Sequence, residues 1–134
     1  IRILAALISP GNLQTPDPQL RGAALEVLQR VAERGDTSAL TAAAAALDDV
    51  DPIVRGGAVQ ALKTLCTRGD AEVTSLLLGF VNHRDPEVRR LVVEVLGYVA
   101  GAQDTKVLTT LRDLAASDDT DMQIAAQQAL LQIR

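Results

Sequence analysis

Three acidic residues and three arginines recur along this chain at a spacing that invites a chemical reading. Asp17, Asp51 and Asp85 stand 34 residues apart, and Arg21, Arg55 and Arg89 each follow one of them by four. Guanidinium groups in a row can clamp an anionic ligand through their forked N–H donors. Paired with carboxylates, the same groups form a structural ladder of charge-assisted hydrogen bonds. Asp17, Arg21, Asp51, Arg55, Asp85 and Arg89 are the residues that either arrangement would use.

The remaining reactive residues are few. Cys66 falls where the repeat-equivalent residues are Ala32 and Ala100, a slot for a small buried side chain, so a structural thiol is expected there. His83 is the one histidine and precedes Asp85 in a turn, with no second His or Cys to share a metal. The acidic clusters Asp48, Asp49 and Asp51, and Asp118, Asp119 and Asp121, also fall in turns, where capping and solubility are the expected roles. They lack the alternating ligands and central glycine of a calcium loop. No Ser-His-Asp set, phosphate-cradling glycine loop or His-Glu metal pair can be assembled, so no catalytic residue, cofactor or metal is expected.

Composition narrows the class. The chain has 134 residues, a net charge of -4, one cysteine and no tryptophan, and 48% of it is hydrophobic while only 1% is aromatic. Such a core must be aliphatic, and the abundance of Ala and Leu favours helix. One cysteine excludes an intrachain disulfide framework. The acidic balance argues against nucleic acid, whose phosphates demand positive charge. No apolar run reaches the roughly 18 residues of a membrane span, and Ile1 to Ser9 lacks the basic head and cleavage site of a signal peptide. A soluble, cytoplasmic chain with no membrane or nucleic-acid partner is the expectation.

The elements that must position these residues follow from the 34-residue beat. Leu20, Ala24, Val27, Leu28 and Val31 recur as Val54, Ala58, Ala61, Leu62 and Leu65. The series continues as Val88, Val92, Val95, Leu96 and Val99, then as Met122, Ala126, Ala129, Leu130 and Ile133. Each set is one stripe of an amphipathic helix. Asp supplies the N-cap and the following Pro suits the first helical position, so these A helices begin near 18, 52 and 86, and near 120, where Thr120 replaces Pro. The first three end near Gly35, Gly69 and Gly101, where glycine can turn left-handed. A shorter B helix follows each break, with inner residues such as Leu40, Leu77 and Leu111. Neither helix buries its stripe alone, so the hairpins must stack.

The strings Asp51-Pro52-Ile53-Val54-Arg55 and Asp85-Pro86-Glu87-Val88-Arg89, with the near match Asp17-Pro18-Gln19-Leu20-Arg21, resemble HEAT repeats of the short Asp-Pro-x-Val-Arg kind. Tetratricopeptide repeats share the period but want aromatics, and the Thr-Pro-Leu-His start of ankyrin repeats is absent. The resemblance spans residues 17 to 134 and implies an all-α, right-handed superhelical solenoid of armadillo type. One domain over 1–134 is expected: a half-repeat and turn at 1–16, full repeats at 17–50, 51–84 and 85–118, and a half-repeat at 119–134. A chain that starts in mid-hairpin, with Ile1, Leu4, Leu7 and Ile8 in the B pattern, is expected to be a piece of a longer array.

The resemblance also implies the Asp–Arg ladder between neighbouring repeats, and a role as a non-catalytic scaffold that binds a protein or peptide segment along the concave face lined by B helices. Aligned outward positions there are Thr41, Ser75 and Thr109; Ala45, Gly79 and Asp113; and Ser38, Glu72 and Lys106. From these rows and the apolar strip beside them we take Thr41, Ser75, Leu76, Gly79, Thr109 and Asp113 as the partner-binding set. Leu76 and Leu78 either enrich the groove or pack against adjacent repeats. Two other readings stand beside this one. Bilin lyases of the phycobilisome use similar short repeats, and a purely structural stretch of a larger solenoid would need no ligand. Iron-binding hydroxylases of this kind carry repeated His-Glu pairs, which are missing here.

Overall fold

The computed structural model describes residues 17–133. The expected half-repeat at 1–16 lies outside them. Seven α-helices follow in order: α1 Pro18–Val31, α2 Thr37–Ala46, α3 Pro52–Leu65, α4 Ala71–Leu78, α5 Pro86–Val99, α6 Thr105–Ala115 and α7 Thr120–Gln132. The A helices are α1, α3, α5 and α7; the first three begin at the acidic-proline pairs and α7 at Asp119-Thr120. The fold is all-α and repetitive.

Every one of these helices is capped by an aspartate. Asp17, Asp51 and Asp85 accept from the N–H groups of Gln19, Ile53 and Glu87 at 2.8–2.9 Å. Asp119 accepts from Asp121 and Met122, so loss of the proline costs the fourth repeat nothing in capping. A second aspartate series caps the B helices: Asp36 for Ala39, Asp70 for Glu72 and Val73, and Asp104 for Val107. This series has the same 34-residue spacing as the first.

The chain falls into two compact units that divide between Thr67 and Arg68. In the first, α1 and α2 both pack on α3. Leu25, Leu28, Leu40, Leu47, Val54 and Leu62 are fully buried there, each such side chain stabilising the fold by about 1.5–3 kcal/mol. In the second, α5 and α6 pack on α7, and α4 on α5, around Leu77, Val88, Val92, Leu96 and Leu111.

Two expectations need correction. The A helices do not end at their glycines. They end at Val31, Leu65 and Val99, with Ala32, Cys66 and Ala100 as extended caps. Gly35 and Gly69 do take φ +86° and +91°, but they lie in the following turn, and Gly101 is absent from the positive-φ set. Their work is to aim an N–H at the next A helix. Gly35 donates to the Leu65 carbonyl and Gly69 to the Val99 carbonyl, each at 2.7 Å, satisfying a C-terminal group that the helix itself leaves open.

The second correction concerns α1. Leu20, Val27 and Val31 of the predicted stripe are exposed, whereas their counterparts Val54, Ala61 and Leu65 are buried. In α3 that face lies under the preceding B helix, α2. The chain that precedes α1 lies outside the described residues.

Candidate functional site

The arginines are where the sequence puts chemistry; Arg21 and Arg55 are buried and Arg89 is half-buried. Arg21 donates from Nε to Asp49 Oδ2 at 2.7 Å and from Nη2 to Asp49 Oδ1 at 3.0 Å, with both side chains almost wholly out of solvent. The hydrogen bonds that Arg21 donates to Asp49 raise its pKa above the ordinary value, against the opposing effect of burial. Asp49 also accepts the Asp51 N–H on Oδ1, and its backbone carbonyl accepts Arg55 Nη1 at 3.0 Å. Arg89 donates in the same way to the His83 carbonyl. Each of these two arginines therefore reaches back six residues to close the turn that starts its own helix.

Of the six residues taken as a ladder, Asp17, Asp51 and Asp85 serve as N-caps, and the carboxylate that Arg21 finds is Asp49. Asp49 is not the solubility residue of a turn that its sequence setting implied: it is 1% exposed. Its counterparts in the later repeats are His83 and Ser117. His83 Nδ1 accepts the Asp85 N–H as Asp49 accepts that of Asp51, while the Ser117 hydroxyl is buried without a hydrogen-bond partner. Arg55 Nε is likewise buried without a partner. Cys66 is a buried thiol whose Sγ contacts the Thr67 carbonyl. With Arg21 and Arg55 buried and their Nη groups turned to protein oxygens, no anion-clamping row of guanidiniums faces solvent along α1 and α3.

The B helices of the second unit present a different surface. A furrow of about 540 Å³ runs between α4 and α6, lined by Ser75, Leu78, Gly79 and Asn82 on one side and Lys106, Thr110 and Asp113 on the other. A further hollow of about 360 Å³ extends it past Ser75, Leu78 and Lys106 toward the helix N-termini, where Asp104 lies. Ser75, Gly79 and Asp113 of the predicted set thus come together. Leu76 and Thr109 are exposed but do not line the furrow, and Thr41 is exposed on α2 in the first unit. Leu78 is half-buried in the furrow wall, so of the two leucines left open it is the one that lines it. Lys106 lines the furrow too, and the aligned row gives no signal for it because its counterparts Ser38 and Glu72 are unlike it.

A third hollow, of about 490 Å³, lies between α5 and α7 and exposes Tyr98, Ile124 and Leu131. Its apolar character has a source in the repeat register. Leu131 occupies the position of Gln29 and Gly97. Gln29 Nε2 donates to Thr64 Oγ1 on the next A helix at 3.0 Å, and Gly97 lies against Ala129. The position is one that A helices use to stack.

The family model for HEAT repeats matches residues 44–131. The chain belongs to the HEAT-repeat family. The match covers α3 to α6 entirely and most of α7. No curated protein is similar enough to count as a match. HEAT repeats commonly act as protein-interaction scaffolds, which directs attention to surfaces rather than to a reaction centre. Among the described residues of this HEAT protein, no helix is long and apolar enough to cross a membrane.

Proposed function

We propose that this chain is a non-catalytic binding module that takes a segment of a partner protein along its B-helix face, in the furrow between α4 and α6. The observation that carries this reading is the contrast between the two kinds of position. The residues that hold the hairpins together keep their type from repeat to repeat: aspartate at every helix start, aliphatic residues at Val54, Val88 and Met122. The B-helix face keeps a hydroxyl row at Thr41, Ser75 and Thr109, but the positions around it vary: Gly79 stands against Ala45 and Asp113, and Lys106 against Ser38 and Glu72. A scaffold whose frame is fixed while such exposed positions vary is built for recognition by side-chain identity. The furrow also pairs half-buried Leu78 and Leu114 with polar rims, the composition of a segment-binding groove.

The test begins with 12-residue peptides selected by display against the chain. Ser75→Trp fills the furrow from an exposed α4 position and is expected to weaken the selected peptides by about tenfold or more. Glu26→Trp, exposed on α1, should leave them unchanged. Equal binding by all three proteins would overturn the assignment of the furrow.

A further inference from the structure

Two charges in the furrow stand at the wrong ends of their helix. Lys106 lies in the first turn of α6 and Asp113 in its last. The N-terminus of a helix carries partial positive charge and the C-terminus partial negative charge, so a cation in the first turn and an anion in the last both oppose the dipole. The B helix before it shows the favourable arrangement at the same position: α4 carries Glu72 in its first turn, where α6 has Lys106. Asp104 at the N-cap and Arg112 in the last turn supply charges of the favourable sign, but neither bonds to the Lys106 ammonium or the Asp113 carboxylate. Lys106 and Asp113 are both exposed, and neither charged group has a hydrogen bond or ion pair among the described residues. They share a wall of the same furrow, with Thr110 between them. Seven residues of helix separate them by about 10 Å along its axis.

We infer that the furrow selects an extended partner segment bearing an acidic side chain opposite Lys106 and a basic side chain opposite Asp113. This rests on the binding reading given above and names the chemistry of its ligand. An extended chain advances about 3.3 Å per residue, so a span of about 10 Å places the two charges three residues apart. The residues between them meet Leu78 and Leu114 and are therefore apolar or small. Extended conformation fits Ser75 Oγ and Thr110 Oγ1, the latter as an acceptor only since it donates to the Lys106 carbonyl, because an extended segment offers unpaired backbone N–H and C=O groups that a helix keeps for itself. The charges that weaken α6 are those that the ligand neutralises, a trade of stability for recognition.

The test uses labelled eight-residue peptides and fluorescence anisotropy, with thermal melts of each protein variant. The probe is Gly-Ser-Glu-Leu-Ala-Lys-Ser-Gly. Lys106→Glu and Asp113→Lys should each weaken it by about tenfold, since an attraction becomes a repulsion. Lys106→Glu should regain affinity for the peptide with Lys at both charged positions, and Asp113→Lys for the peptide with Glu at both. Both variants should melt above the parent chain, because each now complements the dipole; this separates lost recognition from lost folding. If the two variants bind the probe within about twofold of the parent while Ser75→Trp abolishes binding, the furrow reading stands and the charge pairing is wrong. If Ser75→Trp binds equally well, both readings fall. A parent chain that does not bind the probe more tightly than its Gln-Leu-Ala-Gln analogue also overturns the pairing.

Discussion

Arg21 grips Asp49 with two parallel N–H donors, and this pair ties the first A helix to the turn that launches the second. The carboxylate then holds the Asp51 N–H, and the Asp49 carbonyl holds Arg55. One buried acid therefore fixes the entry to α3 through both its side chain and its backbone.

Removing one partner of such a pair leaves the other charge buried. Asp49→Ala is expected to lower unfolding free energy by about 3–5 kcal/mol in urea titration. Replacing both, as Arg21→Met with Asp49→Leu, should cost much less than that, since no orphaned charge remains. A loss below about 1 kcal/mol for Asp49→Ala would show that the pair does not anchor the turn.

Ser117 occupies the position of Asp49 two repeats on, with a buried hydroxyl that has no hydrogen-bond partner among the described residues. Ser117→Ala should leave stability unchanged or raise it slightly, because an unsatisfied polar group is removed. Ser117→Asp places a carboxylate 28 residues beyond Arg89, the separation of Arg21 and Asp49. We expect a gain of about 1 kcal/mol from the new charge-assisted pair. Destabilisation by Ser117→Asp would mean that repulsion from Asp118, Asp119 and Asp121 outweighs it.

Gly97 permits a close approach of α5 to α7. A Cβ there would lie 2.8 Å from Ala129 Cα and 3.1 Å from its Cβ, so backbone must move to admit it. Helix propensity alone predicts a gain of about 0.5–1 kcal/mol for Gly97→Ala. The clash reverses the sign, and we expect a net loss of about 1–3 kcal/mol. A variant that melts higher than the parent would contradict the packing of α5 on α7.

Gly69 isolates backbone strain from crowding. Its φ is +91°, and nothing lies within 4 Å of a Cβ added there. Gly69→Ala should therefore lose about 1–2 kcal/mol through conformation alone. Gly69→Asn should lose less, because asparagine tolerates left-handed backbone better. Equal melting of all three proteins would show that the turn relaxes freely.

Helix starts were legible because their cause is local. Asp17, Asp51 and Asp85 each carry a cap and a following proline in adjacent residues. The series Asp36, Asp70 and Asp104 is just as periodic, but no proline follows it to mark a helix start. The partnership of Arg21 with Asp49 was hidden for a different reason. It joins residues 28 apart and is built from an acid that the repeat does not preserve, since His83 and Ser117 take its place. Repetition cannot reveal what occurs once. In the furrow, register alone brought Ser75, Gly79 and Asp113 into one set. It also included Leu76 and Thr109, which are exposed elsewhere, because the row does not say which side of a short helix faces its neighbour. Lys106 is unlike its counterparts, and that difference is what marks it.

The most direct measurement is amide NMR of the chain titrated with a display-selected peptide. The account predicts saturable shifts concentrated at Ser75, Leu78, Gly79, Lys106, Thr110 and Asp113, with the amides of α1 and α3 unmoved. Shifts confined instead to the A-helix hollow, at Tyr98, Ile124 and Leu131, would contradict it.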